Sequence, residues 1–261
     1  MTSQSASSSL LFSPSVQQAS TNVLKLFGSP HCVDTTRIQI VLHEKKIRYE
    51  IVNLETLSDS KASELMGQPF AQASGPFIEE DGFILCESRA ICRYLATKYA
   101  DQGTKLIPDA YNMKRVALFE QAVFTEVFTF EPYASKAVYE KVTKRLKGLA
   151  SDEAGCRQKL EAYEDLLSRQ RYLAGDELTL ADIYHIPGGA MLTNAGSDIM
   201  TAERSKYLSV LSLYVSLYNE LTVDPNRWWN EISSRPSWIA VQNDIENPSA
   251  FLRTTGKYRS I

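Results

Sequence analysis

The stretch from Gly75 to Ile91 leaves this chain few options. Two short apolar runs, residues 76–78 and 83–86, flank Asp81-Gly82, a dipeptide suited to a tight hairpin turn. Glu87 and Ser88 come next, followed by Ile91, Leu95 and further apolar residues of 90–99 at helical spacing. The pattern predicts strand, turn, strand and helix start, with Ser88 at the capping position. Two readings of Glu87-Ser88 stay open. In one, the pair begins an ordinary capped helix. In the other, the free N–H groups of the helix N-terminus attract a carboxylate and Glu87 attracts an ammonium, so that together they hold an amino acid.

The residues before this stretch fit the same layer. Residues 23–27 form a short apolar strand candidate closed by Gly28-Ser29-Pro30, and residues 33–46 are helical with Ile38, Val41 and Leu42 on one face. Residues 47–54 alternate as a strand does. Residues 58–67 carry a weaker helical period. The order βαβ, α, ββα over residues 23–101 is that of a thioredoxin-like domain. Residues 102–110, with Gly103 and Pro108, read as a linker. Beyond it all is helical, at 111–133, 137–150, 153–170, 180–192 and 202–221, with closing pieces at 228–233 and 238–246. The fold class is therefore α+β, a thioredoxin-like βαβαββα domain followed by an all-α domain over 111–250 and a tail at 251–261. Thr179 and Asp182 have capping-box spacing at the start of the 180–192 helix, a structural role. The aromatic residues Phe119, Phe124, Phe128, Phe130 and Tyr133 read as core, with some of them facing the cleft between the domains.

Composition removes several classes of function. With 28 Lys and Arg against 31 Asp and Glu, the net charge is −3 and no basic stripe is visible, which argues against a nucleic-acid partner. The cysteines at 32, 86, 92 and 156 show neither Cys-x-x-Cys spacing nor a disulfide framework, and only three histidines are present. Reduced thiols in the cytoplasm, and no metal, are expected. Residues 1–22 are rich in Ser, Gln and Ala with no Lys or Arg before Lys25, so they read as a poorly ordered tail, neither secretory signal nor mitochondrial presequence. No apolar run approaches a membrane span.

The hairpin and its Glu-Ser-Arg-Ala-Ile sequence resemble the second half of the glutathione-binding domain of the glutathione S-transferases. Leu180-Ala-Asp-Ile-Tyr-His-Ile-Pro187, Phe130-Glu-Pro-Tyr-Ala-Ser-Lys136, Thr35-Thr-Arg-Ile38 and Leu42-His-Glu-Lys45 are similar to the phi class in particular, and Arg235-Pro-Ser-Trp238 is similar to the family's last motif. The resemblance runs from about residue 23 to 245. It implies glutathione as co-substrate, with Glu87 and Ser88 at the γ-glutamyl end and the main chain of Gly75 at the cysteinyl unit, aimed by a cis bond to Pro76. It implies Lys61 and Gln72 at the glycyl carboxylate, although Lys61 reads equally as a solvated surface lysine. A hydrophobic co-substrate would lie near His31, Phe124, Phe128 and Tyr133. The resemblance also implies a symmetric homodimer.

Three departures bear on chemistry. Phi enzymes place a thiolate-holding serine at the start of the first helix, and counting from Gly28 to His43 without a gap puts Cys32 there. A cysteine at a helix N-terminus can itself be a nucleophile. Alternatively it is a small hydrophobe and weak donor, with Ser29 or Thr35 as the activating hydroxyl. No second cysteine follows three residues on, which excludes a dithiol mechanism. Residues 71–75 hold a two-residue insertion, and residues 193–236 hold extra chain with Tyr207, Tyr214 and Tyr218 at near-helical spacing, either walling a pocket or packing at the surface.

Four functions are compatible with these residues. The leading one is transfer of glutathione to a hydrophobic electrophile, as in tailoring of a secondary metabolite. A second is cis/trans isomerisation by thiolate addition and elimination on a conjugated metabolite. A third is Cys32-dependent thiol transfer or reduction, and a fourth is binding of glutathione or ligands without catalysis.

Overall fold

The computed structural model describes residues 23–56, 75–149, 153–201 and 225–246. Its first half is a four-stranded sheet of β1 (Leu24–Gly28), β2 (Tyr49–Asn53), β3 (Phe77–Glu80) and β4 (Phe83–Cys86), in the order β2-β1-β3-β4. The helix α1 (Val33–Glu44) carries the chain from β1 to β2, which pair in parallel, whereas β3 runs antiparallel to both β1 and β4. The hairpin follows from its two central residues. Asp81 and Gly82 both have positive φ, 52° and 80°, as a two-residue turn matching the right-handed strand twist requires. Leu26, Ile38, Ile78 and Ile91 are among the residues forming the core of this half, and the Phe27 and Phe77 rings stack at 4.4 Å.

The second half is helical: α3 (Met113–Thr125), α4 (Glu131–Leu146), α5 (Ala154–Leu167), α6 (Leu180–Asn194), α7 (Pro225–Ser233) and α8 (Pro236–Glu246), with α2 (Ser88–Lys98) closing the first half. The break expected near residues 133–137 is absent. The chain runs from α3 into α4 through one wide π-helical turn, Glu126–Phe130, in which the Glu131 N–H donates to the Glu126 carbonyl. Pro132 cannot donate to the carbonyl four residues back, and the wider turn just before it absorbs that mismatch. The helices expected at 58–67 and 202–221, together with Tyr207, Tyr214 and Tyr218, lie outside the described residues.

Buried carboxylates join the parts. Asp182 is fully buried and accepts from the Leu173 and Thr179 N–H groups, the Thr179 hydroxyl and the Trp228 indole N–H. Burial pushes its carboxyl up, against the lowering effect of those four donors. It thereby starts α6 with the capping box read from sequence and pins α7 to it. At the domain joint Glu44, the last residue of α1, accepts from Thr104 Oγ1 at 2.5 Å, from Arg235 Nε at 2.6 Å and from Ser237 Oγ at 2.5 Å. Burial works to raise its carboxyl, but these donors and the guanidinium charge prevail and hold it below the ordinary range. The Arg-Pro-Ser-Trp motif thus clamps the start of α8 onto α1 and the linker.

His185, at the centre of α6, is buried and makes contacts at 2.7 Å from Nδ1 to the Ala181 carbonyl and 3.1 Å from Nε2 to the Tyr163 hydroxyl. Burial lowers it to about 3. A neutral ring whose Nδ1–H donates to Ala181 leaves Nε2 to accept from Tyr163. This is a core histidine, its ring tilted against that of Phe130 with centroids 4.4 Å apart.

Candidate functional site

The N-termini of α1 and α2 meet where the two halves of the molecule touch. Cys32 caps α1 from an extended backbone conformation and its side chain makes no capping bond. Its N–H donates to the Ser29 carbonyl at 3.2 Å, and its own carbonyl accepts from the Thr36 N–H and hydroxyl, both at 3.0 Å. These main-chain bonds fix the turn and leave the half-buried thiol at its surface. All four cysteines are free thiols; Cys92 is buried, which pushes it up to about 12.

The cap of α2 is Glu87, one position earlier than the sequence suggests, and Ser88 is its first helical residue. Glu87 adopts φ 70°, a conformation costing on the order of 1 kcal/mol for a residue with a Cβ, and its side chain makes no capping bond. The strain is held because Ser88 is anchored on both sides. Its hydroxyl donates to Asp34 Oδ1 at 2.5 Å and accepts from Arg37 Nη1 at 2.9 Å. The first turn of α2, lacking a side-chain cap, is left suited to an incoming carboxylate.

Behind Ser88 lies a charge network that sequence reading missed. Arg37 is fully buried and bonds Asp34 in its own helix, Ser88 on α2 and Glu131 on α4, the last at 2.8 Å. Arg89 forms a two-pronged pair with the buried Glu126, 2.8 Å in each arm, and also bonds Glu131. Although burial opposes the charged form, these carboxylates hold the Arg89 guanidinium well above its ordinary value. The Tyr184 ring lies 5.9 Å and 5.8 Å from the two guanidinium groups, and its hydroxyl donates to the Arg89 carbonyl. The network therefore ties α1 and α2 to α4 and α6 beneath the site. Its signal was present in Thr35-Thr-Arg-Ile38 and Phe130-Glu-Pro: charges set among residues that otherwise pattern as buried.

Beside the α1 N-terminus opens a cavity of about 460 Å³. Val33 and Arg37 line it from α1, Tyr184 and Met191 from α6, and Phe130 with one face of α4 from the other side. That volume lies in the range of small-molecule sites.

The other expected residues divide. Gly75 is half-buried with open space where a Cβ would be, so its main chain can be approached closely. Pro76 is buried beside it. Among the described residues no peptide bond is cis, so the Gly75–Pro76 bond is trans, correcting the isomer implied by the resemblance. The trans form is favoured by about 0.5–1 kcal/mol at such bonds. Lys61 and Gln72 lie outside the described residues.

Thr35 is fully buried, and its hydroxyl sits where a Cβ on Gly28 would come within 2.4 Å. It is turned into the core against β1 and is not an activating hydroxyl at the surface. Ser29 is half-buried at the end of β1. None of the four expected pocket residues lines the cavity. Phe124 and Phe128 stack on each other at 6.1 Å on the exposed face of the α3–α4 helix, because the wide turn directs Phe130 inward in their place. His31 is exposed, and Tyr133 faces α5, with Lys159 over its ring at 5.4 Å.

Comparison with known proteins agrees with this architecture. Residues 22–97 match the family model of the glutathione S-transferase N-terminal domain and residues 128–210 that of the C-terminal domain. The chain is 35% identical over 227 residues to glutathione S-transferase hmp2 of Hypomyces subiculosus, covering 83% of this chain and 96% of that one. The chain belongs to the glutathione S-transferase family. Its phi-like character is carried by glutathione S-transferase F11 of Arabidopsis thaliana, 37% identical over 83% of this chain and 95% of that protein. Among solved structures, poplar glutathione transferase F1 aligns with a TM-score of 0.64 at 30% identity, over 87% of this chain and 100% of that one.

Glutathione is the co-substrate of this transferase family. The described residues fit it at three points: an uncapped helix N-terminus behind Ser88, an exposed carboxylate on Glu87, and unobstructed main chain at Gly75. No group of three or more potential metal ligands converges among the described residues, and no helix among them is long and apolar enough to cross a membrane.

Proposed function

We propose that this chain transfers glutathione to a hydrophobic electrophile held in the cavity beside α1. The observation that carries the reading is that Val33, next to Cys32 where the family holds its thiolate, lines a largely apolar cavity. Ser88 and the first N–H groups of α2 take the γ-glutamyl carboxylate, and Glu87 takes the ammonium. Gly75 bonds the cysteinyl unit through its main chain, while Lys61 and Gln72 meet the glycyl carboxylate. The glutathione sulfur, ionised beside the positive end of α1, forms a bond to the electrophilic carbon. The electron pair displaced leaves with a leaving group or, on a conjugated acceptor, is quenched by a proton from water. Catalysis is charge stabilisation plus proximity.

A half-exposed Cys32 thiol at a helix N-terminus supports one competing reading, in which Cys32 itself forms a mixed disulfide with glutathione. The replacement Cys32→Ser separates the two. Conjugation of a model electrophile is expected to stay within a few-fold of wild type or to rise, whereas glutathione-disulfide reduction should disappear. Loss of conjugation in Cys32→Ser, with glutathione binding intact, would sink the transferase reading in favour of thiol transfer. The same assay run on conjugated metabolites reports isomerisation: glutathione required, not consumed, and product mass unchanged. Glutathione binding without turnover on any of these substrates would indicate a ligand-binding role.

Exposed apolar side chains on β4 and on the α3–α4 helix, Phe83, Leu118, Phe124 and Phe128, support a homodimer formed between the first half of one subunit and the helical half of another. Sedimentation as a monomer at micromolar concentration would contradict it. Free thiols at all four cysteines are consistent with a cytoplasmic setting.

A further inference from the structure

The charges behind Ser88 do not balance. Two guanidinium groups, Arg37 and Arg89, serve three carboxylates, Asp34, Glu126 and Glu131, and no third cation pairs with these among the described residues. Glu126 takes both arms of Arg89, while Glu131 takes Arg89 and one arm of Arg37. Exposure places the surplus negative charge. The Glu126 side chain is 1% exposed and that of Glu131 30%, whereas Asp34 is 40% exposed. Arg37 and the Ser88 hydroxyl both meet Asp34 on a single oxygen, Oδ1, which leaves Oδ2 open among the described residues.

The Ser88 hydroxyl has one proton, and it goes to Asp34 at 2.5 Å. Because Arg37 donates to the same hydroxyl, Ser88 Oγ meets a ligand only as an acceptor. A ligand carboxylate is therefore left to the main-chain N–H groups that start α2. Held there, it is separated from the Asp34 carboxylate by one serine, and like charges that close repel. A γ-glutamyl group offsets the repulsion, because its α-carbon carries an ammonium beside the carboxylate. The ammonium has three donors. Asp34 Oδ2, the spare lone pair of Ser88 Oγ and the exposed Glu87 carboxylate are the acceptors at hand.

We propose, resting on the transferase reading above, that Asp34 is a specificity-determining residue: it shares the γ-glutamyl ammonium with Glu87, and that ammonium supplies the cation the network lacks. The site thereby selects thiol peptides with a free amino group at the γ-glutamyl end. Asp34 does not alter the chemistry at sulfur; it decides which thiol is admitted.

The test uses the full chain and two ligands. Calorimetry compares S-methylglutathione with the same thioether carrying glutaryl in place of γ-glutamyl, which keeps the carboxylate and lacks the amine. Wild type is expected to prefer the amine about ten- to a hundredfold, the worth of a charge-assisted hydrogen bond. Asp34→Asn keeps an acceptor for Ser88 and removes the charge. It should cut that preference about threefold or more, weakening the first ligand and tightening the second. Structural damage alone would weaken both ligands together and leave the ratio as it was. Glu87→Gln, at an exposed cap whose side chain makes no capping bond, should keep a preference of about threefold or more, held by Asp34. An unchanged ratio in Asp34→Asn overturns the proposal, as does complete loss of the preference in Glu87→Gln alone. Should Asp34→Asn not fold, the Glu87→Gln arm decides by itself. Failure of wild type to bind either thioether overturns this proposal and the glutathione assignment together. The expected ratios with no electrophile conjugated overturn the transferase reading and leave the role of Asp34 standing.

Discussion

Replacing Arg37 by Met keeps most of the side-chain length and removes the charge at the centre of the interdomain network. Three bonds are lost, to Asp34, Ser88 and Glu131, from a side chain with about 1% exposure. Removing one partner of a buried ion pair costs about 3–5 kcal/mol. Here Glu126 and Glu131 retain Arg89, and Asp34 is partly solvated, so the low end applies, about 3 kcal/mol. For a chain of this size that corresponds to a fall in melting temperature of about 6–12 °C. The same change releases the Ser88 hydroxyl from the group that orients it, so glutathione affinity should fall about tenfold, the equivalent of one charge-assisted hydrogen bond. Arg37→Lys, with one point charge in place of a planar fork, should fall between. Urea unfolding followed by tryptophan fluorescence gives the stability, and calorimetric titration gives the affinity. A variant within 1 kcal/mol of wild type would mean that the network is energetically neutral. A destabilised variant with unchanged glutathione affinity would break the link from Arg37 through Ser88 to the co-substrate.

At the domain joint, Glu44→Gln should lower stability by about 2 kcal/mol at neutral pH, because Arg235 keeps only a neutral partner. Glu44 is held below its ordinary range, so its contribution is present above the unfolded carboxyl value and is lost as pH falls through the folded one. The gap between wild type and Glu44→Gln should therefore close in acid, and thermal melts at a series of pH values read this directly. His185 adds a second acid sensitivity. Its folded value of about 3 lies below the unfolded imidazole value, so the unfolded chain binds the extra proton and stability falls as pH drops from about 6.5 toward 3. His185→Phe should lose that part of the pH dependence, and an unaltered acid profile would show that the imidazole is not buried in its neutral form.

The sheet and the hairpin were legible because they rest on local signals. Asp81-Gly82 could adopt the paired positive φ of a tight turn, and alternation in residues 47–54 placed β2. Cys32 as the cap of α1 and the capping box of α6 were readable for the same reason. The cavity was not. Aromatic spacing on the α3–α4 helix marks a helical face without saying which way it points, and the wide turn at 126–130 rotates that face. Phe124 and Phe128 consequently finish outside and Phe130 inside. The buried network was hidden for a different reason. Arg37 and Glu131 stand among residues that pattern as buried, but the partners that satisfy them, like those of Arg89 and Glu126, lie dozens of residues away in the chain. Thr35 misled because a hydroxyl only three residues from Cys32 is turned into the core, against Gly28 of β1.

The π turn lets the helix that lines the cavity absorb a change of length without a change of direction. In it the Glu131 N–H reaches back five residues to the Glu126 carbonyl, which brings two carboxylates five apart onto one side; a regular helix would hold them about 140° apart. Deleting a single residue between them would leave the two carboxylates four apart, about 40° from each other on a regular helix, so the face that α4 turns to the cavity would be kept. The chain can therefore gain or lose one residue ahead of the cavity without redirecting the side chains that line it, and changes in what the cavity accepts fall to point substitution along α4.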